Sequence, residues 1–265
     1  MFRFAPYVSF ISCLMVTVIS AAEEGQTVYR LPMEPKAVVI SYDEQNGFLG
    51  PRQNEAPLLS ILADGTVQMP DSFGTSHDVD GKISKDELQS LLRFVIEENK
   101  FFDYDSEKVK AKMEEAQKQR EILQMVDAPE SVFEIRIADK KHSVRHYGID
   151  FANEYKEVDE LLHLHAIHRR LNKLMGETRV GGKTGIEKLL KLANEKLDKQ
   201  HPGTKRLTAE NFGGAHITQT GITYVIFSRS GQTDDGKSDG TLVSALLVFP
   251  KEGDPQITIN VKTKP

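Results

Sequence analysis

The sequence contains no tryptophan, one cysteine and, beyond its first segment, no apolar run that approaches membrane-spanning length. Each absence excludes something. Without tryptophan the commonest sugar-stacking and interface anchor is missing, leaving that work to tyrosine and phenylalanine. The one cysteine, Cys13, lies near the N-terminus, so a chain cleaved after it has no disulfide, thiol nucleophile or thiolate metal site. A net charge of −5 and the lack of a basic stripe argue against nucleic acid as a partner, since phosphate contacts need a cationic surface. No Gly-x-Ser-x-Gly elbow occurs, so the commonest serine-hydrolase geometry is absent.

What is present begins with an address. Arg3 is followed by an apolar run from Val8 to Ile19, then by Ser20-Ala21-Ala22 and the acids Glu23 and Glu24. A basic start, a short apolar core and small residues before a polar segment are the parts of a cleavable signal peptide, with cleavage expected after Ala22. Lipidation at Cys13 would leave Leu14, Met15, Val16, Val18 and Ile19 as a greasy new N-terminus, which argues against it. The expected location is therefore exported, periplasmic or extracellular. Cleavage removes Arg3 and makes the chain more acidic by one charge.

Residues 23–36 are polar and punctuated by proline, and read as a linker or irregular arm. Ala37–Tyr42 is strand-like. Leu58–Met69 reads as a hairpin around Asp64-Gly65, the pair suited to a tight two-residue turn. Ser84 and Glu87 form a capping box that starts a helix with Leu88, Leu91, Leu92, Val95 and Ile96 on one face. Residues 106–124 carry only a thin apolar stripe, Val109, Met113 and Ala116, and predict a solvated helix. Phe133–Tyr147 alternates as a second hairpin, and an amphipathic helix is expected from about Asn153 to Met175. Glycines at 176, 181, 182 and 185 suggest a boundary. Beyond it come one helix, Ile186–Leu197, and four strand-like runs at 215–220, 222–228, 242–249 and 256–261. The fold class expected is α+β: two small units of antiparallel hairpins and sheet packed with amphipathic helices, spanning 37–178 and 184–265.

Several motifs resemble chemistry. Ser76–Glu87 is similar to an EF-hand calcium loop, with Asp78, Asp80 and Glu87 as ligands, Gly81 at the turn and Ile83 at the apolar position. Ser76 stands where a first carboxylate belongs, and Pro70 and Gly74 prevent an entering helix. Capping already accounts for Ser84 and Glu87. Val180–Thr184 resembles the end of a phosphate-binding loop, but Glu177 replaces its first glycine and a helix precedes it. His165 and His168 flank the apolar seam of the long helix while His163 points elsewhere, and His142 and His146 share one face of a strand. Together these pairs are a candidate zinc or hydrolase site only if the fold brings them together. Gln232–Gly236 loosely resembles the hairpin wedge of cystatins, with Asp234 where an apolar residue belongs.

One resemblance covers more of the chain. Ala63–Val67, Gly81–Ser84, Glu87–Leu92, Asn99–Asp103, Asp127–Val132 and His146-Tyr147 follow in an order similar to exported bacterial proteins of unassigned function, of the planctomycete type. It spans roughly residues 37–175, and its features are turn and capping signals, so it implies no catalytic residue. The C-terminal part is only generically similar to cystatin-like helix-on-sheet folds, and such likeness does not transfer function.

No catalytic residue, cofactor ligand or metal ligand is assigned from the sequence. The expected function is an exported, non-catalytic binding or interaction protein with a protein or small-molecule partner, no nucleic acid and no transmembrane helix after cleavage. The alternatives are calcium binding through 76–87, or a hydrolase whose site assembles from distant residues such as His142, His146 and His165.

Overall fold

The structure is a computed structural model, and it describes residues 27–45, 56–69, 79–120, 127–218, 223–232, 238–250 and 254–263. The expected signal peptide, positions 76–78 of the calcium-like loop and residues 233–237 of the cystatin-like loop lie outside the described residues. Two antiparallel sheets and their helices make an α+β fold, as the hydrophobic patterning implies.

The first sheet has six strands in the order β4-β3-β2-β1-β5-β6. These are β1 (Val38–Gln45), β2 (Leu59–Leu62), β3 (Thr66–Met69), β4 (Val79–Lys82), β5 (Glu130–Arg136) and β6 (Lys141–Tyr147). Its core-facing side is set by period-two alternation: Val67, Ile61, Ile40 and Ile135 form one cross-strand row, and Tyr42, Phe133 and Val144 the next. Its outward side carries an unbroken polar row, Asp80-Gln68-Ser60-Ser41-Glu134-Ser143. This is a sheet built to face water on one side.

Helices α1 (Lys85–Arg93), α2 (Ser106–Gln119) and α3 (Asp159–Arg179) contribute to the core on the other side. The Ser84–Glu87 capping box forms, and α1 buries Leu88, Leu91 and Leu92 before a π-helical turn over Phe94–Glu98. The thin stripe of α2 is used as its pattern suggests: Val109 and Ala116 are buried and Asp105 caps the first turn. Lys112 and Gln117 of α2 tie it to Glu160 and Tyr155 near the start of α3.

Three local expectations change. The β2–β3 connection is a three-residue loop, in which Gly65 N donates to Leu62 O and only Gly65 has positive φ, at 83°. Asp64 instead accepts from Thr66 N at 2.9 Å, so the pair makes a turn followed by a left-handed glycine. The long helix starts later than its polar first residues suggest: Ile149–Glu154 is 3-10 and α3 begins at Asp159. Finally, Gly176 lies inside α3, where it is a packing site. A Cβ there would stand 2.6 Å from the backbone nitrogen of Ala215.

Helix α4 (Gly182–Gln200) follows α3 after a short turn and covers the second sheet. That sheet is a meander of four strands, order β10-β9-β8-β7, with β7 (Phe212–Ile217), β8 (Thr223–Gln232), β9 (Ser238–Phe249) and β10 (Gln256–Thr263). Ile186, Leu190, Ala193 and Leu197 pack on Phe212, Val225, Phe227, Ala245, Leu247 and Ile259. The two apolar cores are distinct, and the second belongs to α4 and its sheet. Arg179 bridges the junction by donating to Ala215 O at 3.4 Å, and Lys183 pairs with Glu87 at 2.6 Å.

Candidate functional site

On the core-facing side of the first sheet the apolar rows end in a polar one, Glu44-Ser131-His146. Tyr42 and Glu44, two residues apart on β1, share a face by strand geometry. Tyr42 is fully buried and its hydroxyl donates to Glu44 Oε1. The same hydroxyl lies 3.0 Å from Nδ1 of His168, which α3 lowers onto the sheet edge-on to the rings of Tyr42 and Phe133. On its other side, His168 Nε2 meets Asp150 Oδ1 at 3.1 Å and the Asn172 amide at 2.9 Å. A chain Asp150–His168–Tyr42–Glu44 thus runs from a side chain that is 61% exposed to one that is only 4% exposed and on into the core.

The electrostatics follow from burial. Burial, reinforced by Glu44, holds the Tyr42 hydroxyl well above its ordinary range. The hydrogen bond from His168 keeps the Asp150 carboxyl below its ordinary range. His165 stacks on His168 at 6.1 Å, and burial with its neighbours His168 and Arg169 lowers its pKa. The chain of contacts fastens β1 to α3.

The other histidines are drawn to a different centre. His146 Nδ1 lies 3.1 Å from Tyr104 Oη and His142 Nε2 lies 3.2 Å from Tyr104 O, with the ring of Phe101 edge-on to His142. Burial lowers His146 to about 4 and raises Tyr104. The fold therefore pairs His142 with His146 and His165 with His168. Among the described residues no three His, Cys, Asp or Glu side chains gather as metal ligands do.

The described half of the calcium-like loop is also engaged in structure. Asp80 and Gly81 belong to β4, opposite Gln68 and Val67. The Glu87 carboxylate accepts from Ser84 N and from Lys183 Nζ, and Lys183 with Ser84 draws its pKa down to about 2. Lys183 of the Gly-Gly-Lys-Thr run is thus a partner of Glu87.

A different kind of site lies on the second sheet. Its outward rows are His216-Tyr224-Val248-Gln256, Gly214-Ile226-Leu246-Thr258, Ser228-Ser244-Asn260 and Ser230-Leu242-Lys262. Tyr224, Ile226, Leu246 and Val248 form a contiguous block, and Ile226 and Leu242 are 37% and 43% exposed. Lys262 carries the one permanent charge in these rows, although 28% of the chain is charged. No family model, curated protein or solved structure matches the chain.

The sequence did carry a signal for this face. Tyr224–Phe227 and Ala245–Phe249 are continuous apolar runs, whereas β5 and β6 alternate. Continuous runs belong to strands covered on both faces. Which residues face outward was legible only once α4 had claimed the opposite side.

Proposed function

We propose that the protein is an exported, non-catalytic binding module that engages its partner through the outward face of the second sheet. The observation that carries this reading is the contrast between the two sheets. The outward face of the first carries one polar row across all six strands, with Val132 and Tyr147 as separate apolar side chains among Asp43, Glu130 and Arg145; that of the second is nearly uncharged and bears a contiguous block of Tyr224, Ile226, Leu246 and Val248. Exposed apolar patches rimmed by polar residues mark interaction surfaces. Ser228, Ser230, Thr258 and Asn260 supply such a rim.

The polar clusters favour a structural role. Their titratable groups are bonded to one another or to the backbone where the core of the first unit meets its surface, and the reading invokes no cofactor. Export is supported by the N-terminal pattern of Arg3, the run Val8–Ile19 and Ser20-Ala21-Ala22. Among the described residues no helix is long and apolar enough to cross a membrane.

Capture from the exported fraction tests the reading, with the wild-type chain and Ile226→Glu as baits. A partner, another copy of the protein included, held by the wild type and lost by the variant is the expected result. No partner, together with turnover in a broad hydrolase screen, contradicts it.

A further inference from the structure

We infer that the occupant of the outward face of the second sheet is a second copy of this chain, packed face to face about a two-fold axis. The inference rests on the reading of that face as an interaction surface, and three observations point to self-association.

The first is charge. The chain is acidic overall, with a net charge of −5, so two copies repel over most of their surfaces. Among the described residues, the four outward rows from His216-Tyr224-Val248-Gln256 to Ser230-Leu242-Lys262 contain no aspartate or glutamate, and Lys262 sits at their margin on β10. This is a broad face on which two copies meet without opposing carboxylates. A basic partner would find no acid there to pair with, and an acidic one would find only Lys262.

The second is shape. The outward face of an antiparallel sheet is shallow and regular, and two such faces pack aligned at about 10 Å separation. A two-fold interface needs a self-complementary patch, in which each residue meets the reciprocal residue of the other copy. A block of aliphatic and aromatic side chains beside rows of serine, threonine and asparagine meets that requirement. Tyr224, Ile226, Leu246 and Val248 fill the centre, and Ser228, Ser244 and Asn260 hydrogen-bond at the side.

The third is size. Strands about 4.8 Å apart, with roughly seven residues each rising about 3.3 Å, give a four-stranded face on the order of 450 Å² of flat area. Two faces together hide about 900–1,000 Å² before side-chain relief is added, near the lower bound for a specific interface. The dimer is therefore reversible and visible only when concentration is varied. The continuous apolar runs of β8 and β9 agree, since the second copy completes the cover that α4 provides on one side only.

Sedimentation equilibrium of the purified chain, from low micromolar to submillimolar concentration, tests the inference. The expected result is a monomer–dimer equilibrium that Ile226→Glu, and independently Leu242→Glu, weakens at least tenfold. Ser60→Glu on the outward face of the first sheet leaves it unchanged. Circular dichroism confirms that each variant is folded; both targeted residues are exposed, and either variant alone decides the question. A wild-type chain that stays monomeric throughout overturns the inference, as does a dimer indifferent to both substitutions. If the chain is monomeric yet position 226 governs capture of a different protein, the interaction face stands and self-association falls.

Discussion

The Tyr42 hydroxyl and Nδ1 of His168 lie 3.0 Å apart although 126 positions separate them in the chain. This contact closes the first unit: it ties the central strand β1 to α3, and through Asp150 and Glu44 it lines up four titratable side chains. A buried chain of this kind stabilises when every member is bonded and costs heavily when one is removed. Tyr42→Phe leaves Glu44 and His168 facing a ring without a hydroxyl. It is expected to lower stability by about 1–3 kcal/mol in urea unfolding. Coupling to His168→Asn in a double-mutant cycle should exceed about 0.5 kcal/mol, and strict additivity would show that the two residues do not act together.

His146 gives the fold a defined response to acid. Burial lowers it from an ordinary 6.5 to about 4, with Tyr104 as its bonded neighbour. Above pH 6.5 both folded and unfolded chains hold it neutral. Below that value the unfolded chain takes up a proton that the folded chain refuses until about pH 4, so stability falls across this window and levels off beneath it. The contribution is roughly 3 kcal/mol. His146→Asn should remove that part of the pH dependence, measured as the difference between variant and wild-type unfolding curves. An unchanged slope between the two pH values would contradict the assignment.

Gly176 packs against β7 with no room for a side chain. An added Cβ would meet Ala215 N at 2.6 Å and Gly214 Cα at 3.1 Å, both backbone atoms that cannot swing away. Alanine gains about 1 kcal/mol of helix propensity, yet forced contacts of this kind cost about 1–3 kcal/mol and occasionally more. Gly176→Ala is expected to destabilise the protein, with a lower midpoint in thermal unfolding. A stabilised variant would show that α3 and β7 separate more easily than their packing implies.

Glu87 decides the behaviour toward calcium. Its carboxylate is committed to Ser84 and Lys183, and Asp80 faces outward on β4. Millimolar calcium is therefore expected to leave the melting temperature unchanged, since a ligand that binds the native state raises it. A rise reversed by chelator would show that the loop gathers its carboxylates around a cation.

Much of this architecture was legible because its signals are local. The Ser84–Glu87 box, the β2–β3 and β5–β6 hairpins, and the helix followed by four strands depend on residues a few positions apart. What escaped depends on long-range pairing. His168 reads as one of two seam histidines until the sheet places Tyr42 beneath it; Tyr42 reads only as a strand residue, and Glu44 lies beyond the expected end of that strand. Spacing does suggest the His168–Asn172 pair, four apart on a helix. Gly176 resembles a boundary because its close approach to β7 has no local signature.

Site-specific photo-crosslinking is the most direct test of the central claim. A photoreactive residue at position 226, on the outward face of the second sheet, is compared with one at position 60, on the outward face of the first. The account predicts crosslinked product from 226 in the purified protein, at the mass of two chains, and none from 60. Equal yield from both positions, or none from 226 at any concentration, would contradict it.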